Sequence, residues 1–273
     1  MPELPEVEVI ARGLSATLVG LTISKASHVD MTRLSESAES LLPKVLGRTI
    51  RRAYRRAKVL LIEMDDGLTL AFHLKMTGRV VHGSMREPDK HDRIFFELDD
   101  GSLLSFSDMR KFGYIRSFAP GELEQWEFLR KCGPEPLESS VSTLADRISG
   151  RKRMIKALLL DQSVVVGIGN IYADEVLFRA GIHPETRGHR VSRPKAETLF
   201  TELQSVLRQA IAENGSSIRD YVNADGDAGA FQNNFNVYGK KGDQCSVCKS
   251  VLKAVKVAGR TSTFCPECQP TKG

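Results

Sequence analysis

Met1-Pro2-Glu3-Leu4-Pro5-Glu6-Val7-Glu8 opens the chain, and the remainder reads as support for this segment. Proline is a small second residue, so the initiator methionine is expected to be trimmed, leaving Pro2 with a free secondary amine. An α-amino group titrates near ~8 against ~10.4 for lysine, so a useful fraction is neutral and nucleophilic at cellular pH. A secondary amine attacking a sugar aldehyde carbon gives an iminium ion, which is a strong electron sink. Glu3, covalently next to it, offers a carboxyl group for proton transfer. The same residues make an ordinary helix start, with Pro5 in the first turn and Glu6 and Glu8 complementing the macrodipole. Val7, Ile10, Ala11, Leu14 and Leu18 follow the i, i+3, i+4 spacing of a buried stripe, and Gly20 is the expected stop. The two readings are compatible, because such a helix presents Pro2 at its positive end.

Downstream, Leu21–Val29, a basic-then-apolar run within Gly47–Asp65, Leu68–Leu74, Ile94–Leu98, Leu103–Phe106 and Tyr114–Phe118 are strand candidates. Asp66-Gly67 and Asp100-Gly101 punctuate them as hairpin turns. Many short strands with turn signals predict a β-sandwich with the first helix packed on it. Pro134-Glu135-Pro136 marks a linker, and beyond it the pattern turns helical near 142–149, 152–161, 170–180, 193–213 and 216–222. Residues 236–273 return to short strands around cysteines.

At 273 residues the chain has room for two cores. It carries no apolar run of about 18 residues and no basic-then-apolar leader, so neither a membrane span nor secretion is expected. That leaves the cytoplasm. A net charge of +5 suits a polyanionic partner. Five cysteines with four of them in Cys245-x2-Cys248-x16-Cys265-x2-Cys268 argue for a metal site rather than a disulfide framework. Four thiolates close a tetrahedral shell around one Zn2+ and leave no position for water, which makes the zinc structural. Cys132 is left over, as a small core residue. Between the cysteine pairs, Val251–Ala258 and Thr261–Phe264 pair as a hairpin with Gly259-Arg260 at its tip, where a guanidinium is a rigid phosphate probe. In Arg48-Thr-Ile-Arg51-Arg52-Ala-Tyr-Arg55-Arg56-Ala-Lys58, the charge run leads straight into the apolar strand Val59-Leu60-Leu61-Ile62, which fixes Lys58 at a strand start.

PELPEVE followed by Arg12-Gly13-Leu14 resembles the opening of the formamidopyrimidine-DNA glycosylases, the bacterial base-excision enzymes for oxidised purines. The resemblance runs to the last cysteine. It implies an α+β protein with four parts. The first is a β-sandwich with its leading helix (1–131). A helix-two-turn-helix domain (132–222) and a lesion-capping loop and connection (223–235) follow. The last is a zinc finger (236–273) ending in a zinc-ribbon β-hairpin. It also implies a bifunctional DNA glycosylase/AP lyase acting on 8-oxoguanine and formamidopyrimidines in double-stranded DNA, as a monomer, nucleoid-associated when on DNA. Pro2 is then the Schiff-base nucleophile and Glu3 the proton donor. Lys58 assists the first elimination, and Arg260 contacts phosphate and assists the second.

Met76, Arg110 and Phe112 match the set that fills the gap left by an everted base. His73, His91, Arg110, Arg151, Lys156 and Asn170 match DNA contacts. Asn170 is read as the N-cap of a helix whose free N–H groups hold a phosphate. Glu6, Ser217, Ile218, Arg219 and Tyr221 match the lesion-recognition residues. Two other readings compete with this one. An endonuclease VIII-like enzyme for oxidised pyrimidines would be separated by a lesion panel. A non-catalytic zinc-ribbon DNA-binding protein would bind duplex without cutting it.

Overall fold

Two four-stranded antiparallel sheets carry the first half of the chain in the computed structural model, which describes residues 2–30, 35–218 and 221–271. Helix α1 (Leu4–Leu18) leads into β1 (Ile23–His28), α2 (Ala38–Val45), β2 (Ile50–Arg56), β3 (Val59–Met64), β4 (Thr69–His73) and β5 (Gly78–Ser84). Then come β6 (Asp92–Leu98), β7 (Ser102–Asp108), β8 (Tyr114–Phe118) and the short helix α3 (Glu127–Arg130). The strand orders are β1-β6-β7-β5 and β2-β3-β4-β8. Alternation places Leu60, Ile62, Leu70 and Phe72 of one sheet in the same core as Val80, Ile94, Phe96, Leu104 and Phe106 of the other, with Val7, Ile10, Leu14 and Leu18 of α1. Phe72 and Phe106 meet edge to face at 5.7 Å.

The uninterrupted apolar run of β3 has its reason here. Its alternate residues Val59 and Leu61 face outward, under a second cluster with Ala71, Phe118 and Leu123, against which Trp126 and Phe128 pack. β3 is thus buried on both faces, as continuous apolar strands are.

The expected sandwich and leading helix are present. β5 and α2 are additions to the expected elements. No helix forms at Ser216–Ile218 or Tyr221–Val222, because Gly215 turns the chain with φ 77° and the Ser216 N–H is taken by a side chain of α1. Arg219 lies outside the described residues.

Beyond Arg130 come α4 (Val141–Asp146), α5 (Ile155–Leu160), α6 (Asn170–Arg179), α7 (Arg193–Ala212) and the hairpin β9 (Lys253–Val257)–β10 (Arg260–Phe264). The chain divides into two compact units, Met1–Arg130 with Glu213–Gln232, and Lys131–Ala212 with Asn233–Gly273. Residues 213–232 therefore belong with the sheets rather than with the helices that precede them. Among the described residues no helix is long and apolar enough to cross a membrane.

Candidate active site

Pro2 is buried just before α1, and Glu3 stands at the helix N-cap with 2% of its surface exposed. Glu6, at 1% exposure, completes a capping box: its Oε2 accepts the Glu3 N–H at 2.8 Å. Its Oε1 accepts the Ser216 N–H at 2.9 Å, and the Tyr221 hydroxyl donates to the Glu6 carbonyl at 3.4 Å. Glu6 was expected to read the lesion. Instead both its carboxylate oxygens are engaged by backbone, and it ties the N-terminal turn to the 213–232 segment.

Ser217 and Tyr221 have a similar bracing role. Ser217 Oγ donates to the Tyr221 carbonyl at 2.7 Å and accepts the Gly229 N–H at 2.8 Å. Desolvation pushes the Tyr221 phenol well above its usual range. The backbones at 215 and 229 approach so closely that a Cβ on Gly229 would lie 2.3 Å from the Gly215 carbonyl oxygen. Of the recognition candidates among the described residues, Ile218 is the exposed one, at 47%.

Lys58 sits in the two-residue turn between β2 and β3, with Ala57 in the left-handed region at φ 54°. The turn is braced from α1. Arg55 donates to the Ala57 carbonyl at 2.9 Å and to Glu8 Oε2 at 3.0 Å. Burial pushes the Glu8 carboxyl up, but Arg12 and Arg55 more than offset this and hold it below the usual range.

His73 pairs with Val59 across β3–β4, beside the Lys58 turn. It is 9% exposed, its ring lies 5.4 Å from that of Tyr114 and 6.1 Å from that of Phe128, and its Nδ1 accepts the Lys75 N–H at 3.2 Å. Desolvation, with Lys75 and Lys58 adding to it, pushes its pKa down to about 3. The ring is therefore neutral with its proton on Nε2, a single uncharged donor. The folded value lies below the unfolded one, so the neutral ring's stability is fully present above about 6.5 and is lost as pH falls toward 3. The stability difference between wild type and His73→Gln should change by up to about 1.4 kcal/mol per pH unit below 6.5. Urea unfolding at pH 5 and 7 checks this, and an unchanged difference rules it out. His91, half-buried, lies on the β5–β6 connection and lines a cleft of about 430 Å3 with Thr77, Arg79, Arg86 and Met109.

The three gap-filling candidates stand on two loops joined by one carboxylate that sequence reasoning missed. Asp108, at 1% exposure, accepts from Thr77 Oγ1 at 2.5 Å, from the Arg110 N–H at 3.2 Å and from the Gly113 N–H at 2.6 Å. Met76 is half-buried on the first loop. On the second, Phe112 is 48% exposed, and the exposed Arg110 guanidinium stacks 4.8 Å from its ring centroid. Phe112 thus stands exposed on a loop whose backbone a buried acid holds on either side of it. Asp108→Ala strands buried donors at about 1–3 kcal/mol each. A loss of at least that size in urea unfolding is expected, with both loops perturbed.

In the second unit, Gly169 rather than Asn170 is the N-cap of α6. Asn170 is the first helical residue; its Nδ2 donates to the Thr261 carbonyl at 3.0 Å, while its Oδ1 is buried without a hydrogen-bond partner. Arg151 is exposed. Lys156 is not: it is fully buried, with its ammonium 2.6 Å from Asp174 Oδ1 and 3.1 Å from the Thr261 carbonyl. A fully desolvated, ion-paired ammonium cannot reach a phosphate in this arrangement. The turn of the β9–β10 hairpin is Ala258-Gly259, with φ 50° and 74°, so Arg260 is the exposed first residue of β10 rather than part of the tip.

The sulfurs of Cys245, Cys248, Cys265 and Cys268 all lie within 4.8 Å of one another. A tetrahedral shell with Zn–S near ~2.3 Å places its sulfurs about 3.8 Å apart, so the donor set fits one such ion. Gln269, fully buried, holds the second cysteine pair by accepting the Cys265 N–H at 2.9 Å and donating to the Ile182 carbonyl at 2.8 Å.

The chain matches the formamidopyrimidine-DNA glycosylase N-terminal domain over residues 1–115 and the H2TH domain of the same enzymes over residues 132–222. A formamidopyrimidine-DNA glycosylase from Bacillus subtilis is 39% identical over 277 residues, covering 100% of both chains. One from Nitratidesulfovibrio vulgaris is 53% identical over 206 residues, covering 75% of this chain and 56% of that protein. A crystal structure of a Lactococcus lactis Fpg variant in complex with Fapy-dG-containing DNA superposes with a TM-score of 0.92 at 36% identity, covering 99% of this chain and 100% of that one. The chain belongs to the formamidopyrimidine-DNA glycosylase family.

Proposed function

We propose that this protein is a bifunctional DNA glycosylase/AP lyase of base excision repair that removes oxidised purines, 8-oxoguanine and formamidopyrimidines, from double-stranded DNA. The observation that carries the reading is the pairing of Pro2 with Glu3 at a capped, buried helix start, in a chain of this family. The Pro2 nitrogen attacks C1′ of the damaged nucleotide, and the glycosidic bond breaks with its electron pair leaving on the base. Glu3 protonates the sugar ring oxygen as the ring opens, and the nitrogen becomes the iminium. The iminium acidifies the C2′ proton; its removal expels the 3′ phosphate, with Lys58 assisting. Loss of the C4′ proton then expels the 5′ phosphate, with Arg260 assisting. Water returns the freed sugar remnant as an aldehyde and restores Pro2.

His73 serves as a neutral phosphate donor, and His91, Arg151 and Asn170 complete the backbone contacts. Met76, Arg110 and Phe112 fill the stack, with Arg110 hydrogen-bonding the orphaned base. The four cysteines hold one structural Zn2+, which when bound clamps the hairpin that carries Arg260. Met1, whose removal exposes the Pro2 amine, lies outside the described residues.

The test is borohydride trapping on a duplex with one 8-oxoguanine opposite cytosine, followed by peptide mapping. A covalent adduct on Pro2 is expected. Binding without an adduct on this or on an oxidised-pyrimidine duplex would leave a DNA-binding protein without the chemistry.

A further inference from the structure

We infer that Asp174 is a positioning residue for Arg260, acting with Lys156 to set where strand β10 presents its guanidinium. The inference rests on the reading of Arg260 as the phosphate contact that assists the second elimination.

A two-stranded hairpin is marginal by itself. The nearest zinc-site cysteine on β10's side, Cys265, is five residues from Arg260, roughly 17 Å along an extended strand, so a metal clamp there leaves the far end free to splay. The intervening residues are gripped instead by α6 and α5. Asp174 Oδ1 accepts from Ser262 Oγ at 2.6 Å, and Asp174 Oδ2 accepts the Thr263 N–H at 3.1 Å. Lys156 bonds Asp174 at 2.6 Å and the Thr261 carbonyl at 3.1 Å, and Asn170 reaches that same carbonyl. Three consecutive residues immediately after Arg260 are thus fixed to the helix that begins at Asn170. By strand alternation Arg260 leaves on the same face as Ser262, the face turned to α6.

Lys156, Asp174 and Ser262 are each no more than 1% exposed. Burial pushes the Asp174 carboxyl up, and Lys156 and Ser262 pull against it. Stability alone does not call for such a cluster, since a buried ion pair can be replaced by apolar groups of similar volume at little cost or even a gain. Directed hydrogen bonds to three successive backbone or hydroxyl groups supply what an apolar contact cannot, a fixed register for the strand. Neighbouring Glu175 does the same for the chain entering the finger. Its carboxylate accepts the N–H groups of Asn236, Val237 and Tyr238 at 2.8, 2.9 and 2.8 Å.

The test compares four full-length proteins on a duplex with a single abasic site in single-turnover mode: wild type, Arg260→Ala, Ser262→Ala, and the double variant Lys156→Met with Asp174→Leu. Three readouts are taken: zinc content, the rate of borohydride trapping, and the fraction of first-elimination product carried through the second. The double variant leaves no unpaired buried charge, so it should fold and hold zinc. Trapping should stay near wild type in Ser262→Ala and in the double variant, because that step belongs to Pro2. Passage through the second elimination should fall between about ten- and a hundredfold in Arg260→Ala and in the double variant, the scale on which a misplacement of ~1 Å acts. Ser262→Ala, which removes one hydrogen bond and no charge, should shift the same product ratio in smaller measure, and it decides the matter if the double variant does not fold. Wild-type product ratios in the double variant or in Ser262→Ala, beside a defective Arg260→Ala, overturn the inference and leave the pair as a stabilising contact. A wild-type ratio in Arg260→Ala itself overturns the reading beneath it.

Discussion

A Pro2→Gly, Glu3→Gln protein should bind an 8-oxoguanine duplex much as wild type does and cut it at least about 10⁴-fold more slowly, the order of loss when a covalent nucleophile is removed. Neither side chain is among the phosphate contacts, so their loss subtracts little from the interactions that dominate affinity. A glycine in place of Pro2 would still offer an α-amine, now a primary one, which is why the glutamate is changed as well. Competition binding and single-turnover cleavage on the same duplex separate the two effects. Equal cutting by the double variant would sink the assignment of nucleophile and acid together.

Cys265→Ser should be the more damaging change to the fold. Cys265 is fully buried in the four-sulfur cluster, and its backbone N–H is fixed by Gln269. Metal binding of this kind is worth about 10–16 kcal/mol in isolated zinc fingers, and it is folding free energy for the small hairpin that depends on it. Zinc should fall from one ion per chain to none by elemental analysis, with loss of ordered β9–β10 resonances and of second-elimination activity. Cys132→Ser, outside the cluster, should keep its zinc. Retention of zinc by Cys265→Ser, or its loss from Cys132→Ser, would show that the metal is held elsewhere.

What could be read from the residues divides by the range of the forces involved. The Val7–Leu18 stripe, the Asp-Gly turns and the cysteine spacing are local patterns, and each has its element in the structure. Strand β5 escaped because Arg79–His82 offers only two valines between glycines, and α2 because Pro43 lies inside it. Lys156 looked like a surface cation on an amphipathic helix. Its burial depends on Asp174, 18 positions away, and on the Thr261 carbonyl, 105 positions away, and no local pattern carries that. Asp108 is similar: its neighbours in sequence spell a turn, but only the fold brings Thr77 to it. The segment after Gly215 had helical spacing, yet a partner 210 residues earlier, Glu6, takes the first N–H such a helix would need. Local grammar gave the elements, and the long-range polar ties that aim the site were silent.

The sharing of residues 213–232 with the first unit bears on how the protein is made. A ribosome adding about 5–20 residues per second delivers both sheets early, but must synthesise all of Lys131–Ala212 before the segment that meets Glu6 emerges. Until then the N-terminal turn lacks the Ser216 and Tyr221 contacts that hold it from the other side. The nascent chain thus carries its N-terminal turn for seconds in an unfinished setting. A truncated product ending anywhere before Glu213 would keep the N-terminal turn and lack the brace.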